Sequence, residues 1–260
     1  MKSKKEKTPS SLLSGLKASL EWLGFPLSSN LTHPATRLPL SHLTPDETNR
    51  VYARLTRLYG VFRQQYRTGG NMQVPEPLSI EKDVIAVRMD RAISSEISLD
   101  EAASSLSADE KDILIRTLLA QLIQLKSLGY LHGSLSPGDL PICRRGAHFA
   151  FALRGLERGR FLDEPAAREN QAQTPWPSPE FWRWMKYAPN GVPAPSDDMF
   201  AAGCVYHQLL TGRPPHSLPN LSAGAGVARG TPLSLRVPEG PKAELIRWML
   251  SPNPSERPTP

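Results

Sequence analysis

The clearest periodic signal in the chain starts at Thr44-Pro45-Asp46-Glu47. Thr44 can cap a helix there, Pro45 suits its first turn and Glu47 can reach back to the cap nitrogen. Apolar Val51, Leu55, Leu58 and Phe62 then fall four, three and four residues apart, the stripe of a helix with one buried face, and Gly69-Gly70 punctuates soon after its end. Two short runs follow, Val74 to Leu78 and Val84 to Met89, flanking polar Glu81-Lys82-Asp83; they predict a hairpin, the second strand being β-branched at Val84, Ile85 and Val87. Pro75 and Pro77 push the first strand to a sheet edge, because neither can donate a ladder hydrogen bond.

Ser98-Leu-Asp-Glu101 and Ser107-Ala-Asp-Glu110 are capping boxes, the second opening a long helix through Ile113, Leu114, Leu118, Leu122, Ile123 and Leu125. From Gly129 to Pro195 the pattern is that of a loop region with one strand, Phe149 to Leu153; helices Ser196 to Leu210 and Pro241 to Leu250 follow, with no repeat at any fixed period. The apolar stretch from Leu12 to Leu23 fits a helix or a first strand equally. A small, partly β segment followed by a larger helical one predicts an α+β fold with segregated halves.

Composition narrows the class. With 260 residues, 39% hydrophobic and 22% charged, the chain can bury a core as one or two domains, and collagenous, coiled-coil and wholly disordered classes are excluded. Cys143 and Cys204 are too few for a disulfide framework and lack the paired spacing of a zinc site, which points to a reducing compartment and no structural metal. The 26 prolines, many in the last third, argue for ordered but irregular loops there. Net charge is +6, but a good share of the excess sits in the opening Met1-Lys-Ser-Lys-Lys-Glu-Lys-Thr; with no basic stripe or interleaved aromatics elsewhere, a solvated tail is the reading and nucleic acid is not an expected partner. No run of about 18 apolar residues occurs. The stretch after the basic start is broken by Lys17 and Glu21, so neither membrane insertion nor secretion is expected, and the chain reads as cytoplasmic.

Several motifs go further. Leu128-Gly-Tyr-Leu-His132-Gly-Ser-Leu-Ser-Pro137-Gly-Asp139-Leu resembles the catalytic loop of protein kinases, where a long apolar helix ends before His-Arg-Asp, then Leu-Lys-Pro and an Asn. Phe149-Ala-Phe-Ala-Leu153-Arg154-Gly155-Leu156-Glu-Arg158 resembles the strand entering the family's Asp-Phe-Gly metal-binding turn, and Pro177-Ser-Pro179-Glu180 its Ala-Pro-Glu. Pro195-Ser-Asp197 through Leu-Leu-Thr-Gly212-Arg-Pro-Pro215, and Met249-Leu-Ser-Pro-Asn-Pro254-Ser-Glu-Arg257-Pro-Thr259, are similar to two later family motifs. The resemblance covers about residues 110 to 260. It implies a bilobal kinase-like fold: a basic disordered tail over 1–15, a reduced, degenerate N-lobe over 16–90 and a mainly helical C-lobe over 91–260. It also implies structural roles: His132 packing against the metal-binding turn, Gly155 surviving from that turn, Asp197 ordering the catalytic loop, and Glu180 paired with buried Arg257. Losing one partner of such a pair costs about 3–5 kcal/mol. The plainer reading makes Asp197 a helix cap and Arg257 a surface residue.

Phosphoryl transfer needs a strand lysine and a Gly-rich loop on the phosphates, an Asp and an Asn on Mg²⁺, and an Asp taking the hydroxyl proton. No lysine lies between Lys17 and Lys82; if Thr36 to Leu43 is the relevant strand, Ser41 stands at the lysine position, and Leu23-Gly24-Phe25-Pro26 is the only remnant of a glycine loop. Ser134 replaces the proton-accepting Asp, Ser136 the phosphate-steadying lysine and Leu153 the metal-holding Asp. A serine has no useful basicity at neutral pH, and leucine offers Mg²⁺ no oxygen. Asp139, at the Asn position, is the one weak metal-ligand candidate.

The resemblance therefore implies a pseudokinase of the bacterial serine/threonine kinase type, a binding or scaffold module in signalling with no cofactor and a protein partner of unstated identity. The alternative is a weak or unconventional ATP-dependent kinase, binding ATP and Mg²⁺ with Asp139, Asp163 or Arg154 as stand-ins; an unrelated helical adaptor is a third possibility. His148, His207 and His216 have no ligand spacing, the cysteines read as structural, and Trp176, Trp182, Trp184 and Trp248 divide between lobe packing and a partner site.

Overall fold

The computed structural model describes residues 36–40, 43–65, 74–81, 84–88, 96–133, 135–145, 148–164, 178–179, 194–215 and 239–259. All of them fall within one compact unit, Ala35–Pro260. The stretch from Leu12 to Leu23, the Gly24 remnant and Gly69-Gly70 lie outside the described residues.

The first element pair follows the local code. Helix α1 (Pro45–Gln65) starts at a reciprocal cap: the Glu47 carboxylate accepts from the Thr44 N–H at 2.7 Å, and the Thr44 hydroxyl accepts from the Glu47 N–H at 3.3 Å. Its stripe, Val51, Leu55, Leu58 and Phe62, is buried as the periodicity predicts. The helix lies on an antiparallel sheet of β1 (Thr36–Pro39), β2 (Glu76–Glu81) and β3 (Val84–Arg88), in the order β1-β3-β2. Central β3 buries Ile85 and Val87 and exposes more of its alternate residues. Proline-bearing β2 takes an edge, and its register with β3 shifts between Pro77 and Ser79, an irregularity an edge strand tolerates.

The remainder is mostly helical. After β4 (Glu96–Ile97), α2 (Leu99–Ser105) starts where the Ser98 hydroxyl accepts from the Glu101 N–H at 3.1 Å, and α3 (Ala108–Ser127) starts at the Ser107/Glu110 capping box. Helix α3 buries Leu114, Leu118, Leu122 and Leu125 against α4 (Pro195–Thr211), which in turn packs on α5 (Pro241–Met249). Gly203 of α4 is what lets α5 so close, because a Cβ there would stand 2.9 Å from the Met249 Cβ. Asp112 of α3 ties the three helices, accepting from the Tyr206 hydroxyl at 3.0 Å and pairing with Lys242 at 2.6 Å.

Two expectations need correction. The stretch after Gly129 is not a loop with one strand: besides β7 (His148–Phe151) it holds β5 (Tyr130–Leu131), β6 (Ile142–Arg145) and β8 (Arg160–Phe161). β6 sits between β4 and β7, while β5 pairs with β8 across about thirty residues, Tyr130 opposite Phe161 and Leu131 opposite Arg160. Strands this short carry no period of their own and exist through distant partners. Ile123, expected on the buried stripe of α3, is 53% exposed; the inner face runs through Leu122 and Leu125, and Ile123 is turned off it. Among the described residues, no helix is long and apolar enough to cross a membrane.

Candidate functional site

Short β5 delivers the chain to His132, and a 3₁₀ turn over Pro137–Asp139 closes the loop that follows. β7 leads into a second turn at Leu153-Arg154-Gly155, with a 3₁₀ turn over Leu156–Arg158 beyond it. The backbone of Arg154 stitches the two turns together: its N–H donates to the Asp139 carbonyl at 2.8 Å, and its carbonyl accepts from His132 Nε2 at 2.6 Å. A carbonyl can only accept, so Nε2 carries the proton. His132 is fully buried, and burial pushes its pKa down to about 4, leaving a neutral ring at physiological pH.

The loop is anchored from beneath by α4. Asp198 accepts the backbone N–H groups of His132 at 3.0 Å and Gly133 at 2.8 Å. Burial pushes its carboxyl up to about 7, against the pull of those two donors. The sequence reading assigned the loop-ordering carboxylate to Asp197, and the structure moves it by one residue. Asp197 caps α4, taking the Ala194 N–H at 2.6 Å and the Ser178 hydroxyl, whereas the next residue, about 100° round the helix, faces the loop. Arg257 is buried, not a surface residue: it donates to the carbonyls of Ser251 at 2.9 Å and Ser196 at 3.0 Å and lies over the Phe200 ring at 4.9 Å.

On the other side of the loop, charge is absorbed internally. Asp139 is buried; one carboxylate oxygen accepts from the Ser136 hydroxyl at 2.6 Å and the other is in an ion pair with Arg158. Gly155 is left-handed at φ 80°, and a Cβ there would run into the Arg158 guanidinium and stand 2.7 Å from Asp139 Oδ1. Leu153 is 1% exposed and belongs to the hydrophobic core. Arg154 points outward to an ion pair with Glu96 of β4, and Asp163 pairs with Arg57 of α1 at 2.7 Å. Among the described residues, no three histidine, cysteine, aspartate or glutamate side chains gather to hold a metal.

This set does not fit Mg²⁺: the turn offers a buried leucine, and the one carboxylate in the loop already faces a guanidinium. Of the residues singled out from sequence, His132, Ser136, Asp139, Leu153 and Gly155 come together, while Asp197 and Arg257 serve the α4 end. Ser41, Ser134 and Glu180 lie outside the described residues, as do Trp176, Trp182 and Trp184; Trp248 is 60% exposed on α5. Cys143, Cys204 and His207 are buried, in line with structural roles. Asp198 and Arg158 were missed: Asp198 sits beside Asp197, and Arg158 stands three residues past Gly155, where no spacing signals that it reaches Asp139.

No protein-family model matches the chain. Over 159 residues it is 26% identical to the human serine/threonine-protein kinase/endoribonuclease IRE2, a match covering 58% of this chain and 17% of that protein. The chain carries weak kinase-like similarity. It spans far less than two thirds of that relative, and its α+β architecture of helices and small antiparallel sheets accompanies the match.

Proposed function

We propose that the chain is a bilobal, catalytically inactive protein-kinase-like domain, a pseudokinase that serves signalling as a binding or scaffold module. The observation that carries this reading is Leu153. Where a kinase needs a carboxylate turned to the metal, this chain has a leucine sealed in its core, so the position has been converted from chemistry to packing. The pairings of the β5–β8 segment and the Asp198 anchor under the loop support a kinase-like scaffold, and the kinase designation of the relative favours it over an unrelated helical adaptor. The alternative, a weak kinase, needs Asp139, Asp163 or Arg154 to act on nucleotide or metal, yet each has an ion-pair partner within the chain.

The test is a thermal melt with ATP and Mg²⁺ beside a phosphate-incorporation assay. Any ligand that binds the folded state raises Tm with concentration. The expected result is an unchanged Tm and no incorporation; a concentration-dependent rise in Tm, or incorporation abolished by Asp139→Ala, would overturn the reading.

A further inference from the structure

Asp139 poses an electrostatic problem that the chain has to solve by itself. A carboxylate buried this deeply is costly unless an opposite charge or several donors meet it. One oxygen has the Ser136 hydroxyl; the other faces Arg158 Nη2, and Nη1 of the same guanidinium is 3.8 Å from Glu157. Glu157 is itself mostly buried, and burial raises its pKa while Arg158 pulls it back down. One guanidinium thus lies between two carboxylates, in the crook of a left-handed glycine whose missing Cβ leaves the room it occupies. Oxygen donors converging on one positive centre are also the surroundings a hard divalent cation takes.

We propose that the Arg158 guanidinium is a built-in cation, filling the place a divalent metal would otherwise take beside Asp139, so that the loop and turn are ordered without any metal ion. Locating that place rests on the kinase-like reading above; the charge balance does not. A tethered cation cannot dissociate, and it needs no second carboxylate at position 153, where Leu153 is buried. With a metal, one buried carboxylate and one hydroxyl would hold poorly; with Arg158, the same pair is sufficient. It follows that removing the guanidinium should leave Asp139 and Glu157 short of positive charge and turn the pocket into a weak divalent-cation site.

The experiment is a set of melts of the full chain in EDTA and in about 10 mM Mg²⁺ or Mn²⁺. The wild type is expected to melt at one temperature in all three. Arg158→Met is expected to melt at least about 4 °C lower in EDTA, to regain about half of that loss with Mn²⁺, and to be bettered by Arg158→Lys, which keeps a point charge. The double variant D139N/R158M removes the anion along with the cation; it should melt above Arg158→Met and ignore Mn²⁺. Should Arg158→Met not fold in EDTA, recovery of the double variant keeps the test decisive. The proposal is overturned by an Arg158→Met that melts with the wild type, by one that ignores both ions, by Arg158→Lys no better than Arg158→Met, or by a double variant no more stable than the single one. An ATP-dependent rise in wild-type Tm would sink the inactive reading and leave the cation response of Arg158→Met where it was, so the two failures are distinguishable.

Discussion

The two sides of the His132–Asp139 loop have opposite characters. On the α4 side, buried polar groups hold the backbone: Asp198 accepts two loop amides, and Arg257 donates to two carbonyls, Ser196 in the first turn of α4 and Ser251 just past α5. On the turn side, side chains pair with one another, Asp139 with Arg158 and Ser136 and Arg154 with Glu96, while Leu153 packs in the core. The contrast teaches that the shape of a loop and its side-chain chemistry are separable, because shape depends on backbone partners and chemistry on free side-chain charge. Main-chain groups must be satisfied whatever the loop does.

The largest effect should come from forcing charge into the turn. Leu153→Asp would place a carboxylate among the buried apolar side chains of the core, and a buried, uncompensated charge costs about 3–5 kcal/mol. The expected outcome in chemical denaturation is a loss of about 4 kcal/mol, with no protection by Mg²⁺. Were the turn merely one substitution away from a working metal site, the variant would instead be stabilised by Mg²⁺, and the two sides of the loop would be less different than the wild-type geometry says.

Next in size is a pH signature of the anchored side. The pKa of His132 is about 4 in the fold against 6.5 ordinarily, so between those values the unfolded chain binds more protons and stability rises with pH. Asp198 titrates near 7 in the fold against 3.8, so the folded chain binds more protons and stability falls with pH over that range. Asp139 and Arg158 face His132 with opposite sign, and Asp197 adds to the rise at Asp198. The slopes oppose and largely cancel in the wild type between pH 4 and 6.5. Asp198→Asn should unmask the histidine, giving a stability that climbs by about 3 kcal/mol from pH 4 to 6.5. His132→Gln should reverse the sign. Denaturant midpoints measured across that range decide it, and equal slopes in the two variants would show that the pair does not titrate as the burial implies.

How much of this was legible beforehand follows from the range of each interaction. Caps at Thr44, Ser98 and Ser107 join residues three apart, and the stripe of α1 repeats within one helix, so sequence alone carries them. The edge position of β2 was written in its prolines. By contrast β5 and β8 each hold two residues and depend on a partner thirty positions away. The one-residue slip from Asp197 to Asp198 has the same origin: both stand in the first turn of α4, and only the tertiary direction of the loop separates the capping carboxylate from the anchoring one. Arg158 stayed invisible because its role is set by the left-handed turn at Gly155, which swings it back toward Asp139.

The smallest expected effect separates two ion pairs that look alike on paper. Arg54 and Arg57 both reach from α1 to the residues after β8, Arg54 to Glu164 at 3.1 Å and Arg57 to Asp163 at 2.7 Å and to the other Glu164 oxygen at 3.5 Å, and Arg57 also lies 3.8 Å over the Phe161 ring. The shorter pair should matter less. Asp163 is solvent-exposed, so its attraction to Arg57 is screened, and Arg57 keeps its ring contact when the carboxylate is lost. Arg54 is buried, and Glu164 also accepts the Phe161 N–H at 3.4 Å, so Glu164→Gln weakens the attraction on a guanidinium that water cannot rescue. Hydrogen exchange on the α1 amides should therefore quicken in Glu164→Gln and stay at wild-type rates in Asp163→Asn. Added salt should leave the faster exchange of Glu164→Gln in place and Asp163→Asn at wild-type rates. If the exposed pair proved the stronger one, burial would not be what ranks these contacts, and the anchored side of the loop would lose the same explanation.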